Sequence, residues 1–332
     1  MRGFAHTSSG KSATVHNSET TWGKAPNRNM PNMQSAALNN TSAQQSRSST
    51  KRNDSDHVPP IDMPKPYTPL HDVAPPHLAL MALEMRVFWE FGAVVPSWPA
   101  LQKAAKADTK ADGNSVIVFP GLSAGDLSTV PLRKYLNSLG YATEGWNQGL
   151  NLGPRPGVLE AARQQITDTF NESGRKVSLI GWSLGGVYAR ELAKMMPDLV
   201  HCVITLGTPF AGSPKSTNAW RVYEFASGRK TAIERENFDL PAAPSVPTTS
   251  IFSRTDGVVA WQGSIQAPCK LNPHTENIEV FASHVGMGLN PSAWWAVADR
   301  LSQKHASWKP FIAPKLMGLH KFIYPRSKHE MG

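Results

Sequence analysis

Cysteine is almost absent. Cys202 and Cys269 are the only two in 332 residues, too few for a disulfide framework or for the cysteine cluster of a structural zinc site. Free thiols in a reducing compartment are therefore expected. Long apolar runs are missing as well. The most apolar stretch, His77 to Trp98, carries Glu84, Arg86 and Glu90 and is interrupted by Pro96, so it is too charged to span a bilayer. An amphipathic helix covering the edge of the core is the expectation for 77–98. The Met1 end lacks the apolar core of a secretory signal peptide. Together these gaps predict a cytoplasmic chain with no transmembrane helix, whose membrane association, if it has any, is peripheral.

A basic face is also lacking, although the formal charge is +9. Residues 1–75 hold eight Lys/Arg against five Asp/Glu, and residues 302–332 hold six against one, so the two ends account for +8. No basic stripe crosses the body, and nucleic acid is not an expected partner. Peripheral contact with an anionic membrane surface would fall on 77–98 or on the basic, aromatic tail "WKPFIAPKLMGLHKFIYPRSKH".

From Met1 to about Pro75 the chain is rich in Ser, Asn, Thr, Gln and Pro without apolar periodicity. Such a segment cannot bury enough apolar surface to offset the entropy of ordering, and 1–75 is expected to be a disordered low-complexity tail. The domain is expected at 76–303, followed by a C-terminal tail at 304–332.

Within 76–303 apolar runs alternate with helical periodicity. "SVIVF" (115–119) is a β-branched run stopped by Pro120 and Gly121, and "VPLRKYLNSLG" places Leu132, Tyr135, Leu136 and Leu139 at helical spacing, with Ser128 as N-cap and Gly140 as stop. The unit repeats: "YATEGW" as strand, "GVLEAARQQITDTFNESG" as helix, "KVSLIGW" as strand, "LGGVYARELAKMM" as helix, "HCVITLG" as strand. "TTSIFS" and "NIEVFA" are further strands, and "PSAWWAVADRLSQ" a last helix. This alternation predicts a doubly wound, mostly parallel α/β sheet, whose ligand sites gather beyond the carboxyl ends of the strands.

At one such end stands "VSLIGWSLGG", with Ser183 between Gly181 and Gly185. The pattern GxSxG arises by chance in roughly one in ten chains of this length. A strand before it and a helix after it make it far more specific, because they define a nucleophile elbow: a tight turn lifts the hydroxyl and leaves the next amide facing a substrate. A serine hydroxyl needs a base, and the base needs an orienting carboxylate. Asp256 follows the strand "TTSIFS" and His284 follows "NIEVFA", each on a loop at the required end and in the chain order Ser, acid, His. His201, Asp198, His274 and Asp239 sit at the wrong ends of strands or have no strand ahead of them. Backbone amides of Leu122, after Gly121, and of Leu184 are the expected oxyanion donors.

These pieces resemble the α/β-hydrolase superfamily, and within it the serine esterase and lipase-like branch. The resemblance rests on "VIVFPGLSAGD", "VSLIGWSLGGVYARELA", "VITLGTPFAGSP", "SIFSRTDGVVAW" and "ASHVGMGLNP". It departs at Pro120-Gly121, where lipases usually have His-Gly, and at Trp182, where they commonly have His. The resemblance implies an α/β-hydrolase fold with a lid insertion at about 208–247, in which Trp220, Tyr223 and Phe225, with Trp182 beside the serine, line an acyl pocket or glue the insertion to the sheet. It implies hydrolysis of a small-molecule ester or lipid substrate with an apolar acyl group, through an acyl-serine and without metal or organic cofactor. Acyl transfer by the same triad, or a non-enzymatic lipid-binding module, are the alternatives.

Overall fold

The runs read as strands become one six-stranded sheet. The computed structural model describes residues 73–104, 115–212, 239–270, 272–314 and 323–325, all within the unit Asp62–Gly332. The tail expected at 1–75 lies almost wholly outside these residues, as does most of the insertion expected at 208–247. The strands are β1 (Ser115–Phe119), β2 (Ala142–Gly145), β3 (Val177–Trp182), β4 (Val200–Leu206), β5 (Thr248–Phe252) and β6 (Thr275–Glu279). Their order is β2-β1-β3-β4-β5-β6, and every pairing is parallel. The chain runs outward from β1 to β2, then returns to place β3 on the other flank of β1. That reversal at the carboxyl ends of β1 and β3 is the switch point at which doubly wound sheets place their ligand sites.

Parallel strands must be covered on both faces, and the alternation within β1 shows how. Val116 and Val118 enter one core cluster, whereas Ile117 and Phe119 enter the other. The first cluster is roofed by three helices, α3 (Val94–Leu101), α4 (Asp126–Ser138) and α7 (Pro291–Leu301), through Leu101, Leu132, Tyr135, Leu136, Trp294 and Val297. Tyr135 and Trp294 stack with ring centroids 5.1 Å apart. The second is roofed by α5 (Val158–Ser173) and α6 (Leu184–Met195), through Ala162, Ile166, Ala189 and Leu192. Each large apolar side chain fully withdrawn from water in this way contributes about 1.5–3 kcal/mol before entropy is counted.

Three expectations need correction. Helix α4 begins at Asp126 with Gly125 at its N-cap, so Ser128 lies in the first turn, where its hydroxyl donates to the Gly125 carbonyl at 2.7 Å. The Asp126 carboxylate instead accepts from the amides of Trp146 and Asn147, at 2.9 and 3.1 Å, and tethers the end of β2. Strand β6 starts two residues earlier than "NIEVFA" suggests. It is an edge strand, so half-exposed Thr275, Glu276 and Asn277 are tolerated, and Glu276 pairs with Arg300 of α7.

The third correction concerns 77–98. One amphipathic helix was expected; the structure has α1 (Leu78–Ala82), a 3-10 turn (Leu83–Arg86), α2 (Val87–Gly92) and then α3. Its polarity is also reversed. Leu78, Leu83, Met85, Phe88 and Trp89 are exposed, Trp89 at 82%, whereas Glu84 is buried at 9%. A buried carboxylate is retained only where donors meet it, and those donors determine which way the segment faces. Among the described residues no helix is long and apolar enough to cross a membrane.

Part of the C-terminal tail belongs to the body. Phe311 and Tyr324 sit in the first core cluster, the Phe281 amide donates to the Ile323 carbonyl at 3.2 Å, and the buried Tyr324 hydroxyl donates to the Ser292 carbonyl at 2.8 Å. Substituting Tyr324→Phe is expected to leave that carbonyl short of a donor and lower unfolding stability by about 1 kcal/mol. Urea denaturation with an unchanged m-value and a lower midpoint is the expected result; an unmoved midpoint would contradict it.

Candidate active site

Ser183 joins β3 to α6 with φ 52° and ψ −121°. No ordinary L-residue relaxes there, and such backbone costs about 1–3 kcal/mol. The neighbours explain how the turn closes. A Cβ on Gly181 would overlap the Gly185 and Gly186 backbone, one on Gly185 would overlap the carbonyls of Phe119 and Pro120, and one on Gly186 would overlap the Thr208 side chain. The Ser183 amide donates to the Leu206 carbonyl at 2.8 Å, which anchors the elbow to β4.

The three side chains expected to act together meet at this turn. Ser183 Oγ lies 3.0 Å from His284 Nε2, and His284 Nδ1 lies 2.7 Å from Asp256 Oδ2. All three are buried, with exposures of 8%, 6% and 4% for Ser183, His284 and Asp256. The other carboxylate oxygen, Asp256 Oδ1, accepts from the amides of Val258 and Val259 at 2.8 and 2.7 Å. The carboxylate is thus aimed at the ring by its own loop. With Nδ1–H donating to Asp256, Nε2 is left as acceptor for the serine proton.

Burial alone draws the His284 pKa down, because the imidazolium loses hydration. The charge of Asp256, its hydrogen bond, and the more distant charge of Glu84 outweigh this, and the net shift is upward from 6.5.

The loop after β1 lies against the serine. A Cβ on Gly121, the residue before Leu122, would stand 3.4 Å from Ser183 Cβ, while Leu184 follows Ser183 directly at the start of α6. Asn151 holds that loop in shape. It is fully buried; its Nδ2 donates to the Pro120 carbonyl at 2.8 Å, and its carbonyl accepts from Ser123 at 2.7 Å. Trp182, expected at the substrate wall, donates from Nε1 to the His284 carbonyl at 3.0 Å and packs its ring on Gly288, which braces the histidine loop. Trp220, Tyr223 and Phe225 lie outside the described residues. The competing histidines are engaged elsewhere: His201 Nε2 is 3.2 Å from the Gln303 carbonyl, and the His274 ring stacks on Trp308.

Sequence reasoning missed Gly207. It directly follows β4 at φ 56°, and a Cβ there would stand 3.1 Å from both Asp256 Oδ2 and His284 Nδ1. Both the conformation and the close approach demand glycine. Its signal was a glycine directly after a strand at the reactive edge. Asn151, Glu84 and Glu90 had no comparable signal.

The profile of the alpha/beta hydrolase family matches residues 116–329, and the chain belongs to that family. The matched range contains Ser183, Asp256 and His284. No curated protein sequence matches the chain significantly. Among solved structures it is similar to lipase B of Aspergillus fumigatus, at 20% identity and TM-score 0.45, over 62% of this chain and 57% of that one. It is also similar to a monoacylglycerol lipase of Paleococcus ferrophilus (18% identity, TM-score 0.41, 60% of this chain and 96% of that one). A third likeness is to naproxen esterase of Bacillus subtilis, at 16% identity and TM-score 0.41, over 60% of this chain and 84% of that one.

A histidine with a raised folded pKa binds its proton more tightly when folded. That contribution to stability is complete below about 6.5 and is lost as pH climbs through the raised value. Substituting Asp256→Asn removes the main opposing charge and leaves burial in place, so the His284 midpoint should fall. Histidine-selective NMR titration of both proteins reads this directly; an unchanged midpoint would show that Asp256 does not govern the ring.

Proposed function

We propose that this protein is a serine hydrolase that cleaves carboxylic esters with an apolar acyl group through an acyl-serine intermediate. The observation that carries the reading is the unbroken line from Ser183 Oγ to His284 Nε2, at 3.0 Å, and from His284 Nδ1 to Asp256 Oδ2, at 2.7 Å, at a backbone turn with φ 52°. Membership of the alpha/beta hydrolase family supports the hydrolytic class.

In the acylation step Ser183 Oγ attacks the ester carbonyl while its proton passes to His284 Nε2. The imidazolium that forms is paired with Asp256 across Nδ1–H. Negative charge develops on the former carbonyl oxygen and is received by the amides of Leu122 and Leu184; each such donor is worth about 3 kcal/mol at the transition state. His284 then returns the proton to the departing alkoxide, and the alcohol leaves. Deacylation repeats the sequence with water in place of serine: His284 takes a proton from the water, its oxygen attacks the acyl carbon, and Ser183 Oγ is expelled and reprotonated. Preference for an apolar acyl group is favoured by Leu122, Trp182 and Leu184, apolar and only partly buried, which flank the serine on the loop and in the chain.

The test uses a fluorophosphonate probe and nitrophenyl esters of increasing acyl length on the wild type and on Ser183→Ala. The wild type should be labelled and should turn over longer acyl chains faster, whereas Ser183→Ala should lose labelling and at least about 10³-fold in kcat. Equal labelling of the two proteins would remove Ser183 from its role. A flat response to acyl length would remove the apolar preference.

A further inference from the structure

The segment 78–101 lies outside the range matched by the family profile, yet it reaches the back of the candidate triad. Within "LEMRVFWEF" three charged residues, Glu84, Arg86 and Glu90, turn inward while Met85, Phe88 and Trp89 between them face out. Glu84 Oε1 accepts from the amides of Gly257, at 2.8 Å, and His284, at 3.0 Å. Glu84 Oε2 accepts from the amide of Val285 at 2.9 Å. One carboxylate thus binds the residue after Asp256 and the backbone of His284 itself. The second half of the motif reinforces the first. Glu90 Oε1 accepts from the Ser283 amide at 2.7 Å and from Arg86 Nε at 2.9 Å. Arg86 Nη2 in turn donates to the carbonyl and hydroxyl of Thr255, both at 2.8 Å.

The glycines of the two loops fit this contact. A Cβ on Gly257 would overlap the Leu80 backbone of α1, and one on Gly286 would overlap the Glu90 carboxylate. The loops bearing the acid and the base come from different strands and have no covalent reason to keep register with each other. Three consecutive amides on one loop, Ser283 to Val285, and two positions on the other, Thr255 and Gly257, are held by a single short stretch of chain.

We propose that Glu84 is the positioning residue that sets the Asp256 loop and the His284 loop in register for proton transfer, with Arg86 and Glu90 completing the clamp. The inference rests on the triad reading above. The charged groups facing the His284 loop are Asp256 from its own loop, and Glu84, Arg86 and Glu90 from the N-terminal segment; Arg86 is paired with Glu90, and Glu84 adds to the upward shift of His284.

Glu84→Gln removes the charge and keeps the side chain's shape. Its amide oxygen can still accept from Gly257 and His284, but its NH2 group meets the Val285 amide as a second donor. Glu84→Ala removes all three acceptors. The full chain is measured as wild type, Glu84→Gln, Glu84→Ala, Ser183→Ala and Met85→Ala, the last being an exposed neighbour in the same turn. Near-ultraviolet circular dichroism establishes folding, and kcat, KM and the pH profile of kcat/KM are read on a short nitrophenyl ester.

Glu84→Gln is expected to keep KM within about twofold, lose about 10-fold in kcat, and move the acidic limb of the profile to lower pH, since the charge favouring the imidazolium is gone. Glu84→Ala is expected to lose about 100-fold in kcat, the scale of a 1 Å misplacement, and Met85→Ala nothing. If Ser183→Ala loses activity while folded Glu84→Gln keeps both kcat and the acidic limb of the wild type, the positioning role is overturned and the triad stands. If Ser183→Ala retains activity, the triad reading fails first, and the clamp with it. Should Glu84→Ala not fold, the isosteric Glu84→Gln decides alone.

Discussion

The strained turn at Ser183 governs the rest of the site. A residue with φ 52° and a side chain other than hydrogen persists only when its surroundings leave no alternative. Here α6 presses so close to β3, to the end of β1 and to Thr208 after β4 that Gly181, Gly185 and Gly186 have no room for a Cβ, and the serine amide is tied to the Leu206 carbonyl of β4. The packing energy of the two apolar layers holds the turn in place. In return the hydroxyl meets His284 Nε2 at the edge where the strand order reverses.

The other groups at that edge come from several separate elements, and most of the bonds that gather them join a side chain to a distant backbone group. Gly207 directly follows β4 and leaves room for Asp256 and His284 to meet. Asn151 shapes the loop carrying Leu122, and the Trp182 indole holds the His284 carbonyl. Glu84 gathers three amides from two loops. Burying that carboxylate without donors would be costly. With three, it serves as a knot between elements far apart in the chain.

The outward apolar face of 78–98 follows from the same knot. Amphipathic reasoning assumes that charged side chains seek water and apolar ones the core. In this segment the stronger demand is that of buried loop amides for an acceptor, and Glu84 and Glu90 meet it. The segment breaks into short helices and a 3-10 turn, and Leu83, Met85, Phe88 and Trp89 are left facing out.

Local signals were enough for the sheet and for the tight turn at Ser183. Runs such as "SVIVF" and "KVSLIGW" are apolar on both faces because parallel strands are covered on both, and GxSxG between a strand and a helix permits only a tight turn. The positions of Asp256 and His284 were legible for the same reason: the carboxyl ends of successive parallel strands share one edge. Edge strand β6 was less legible, because one side of it meets solvent and its apolar pattern weakens. What only the tertiary structure decided was which groups hold the loops together. The inward turn of Glu84, the bracing by Asn151 and the need for glycine at 207 depend on partners between about 30 and 200 residues away, and nothing in a local stretch of sequence encodes the direction in which a side chain finds a distant backbone amide.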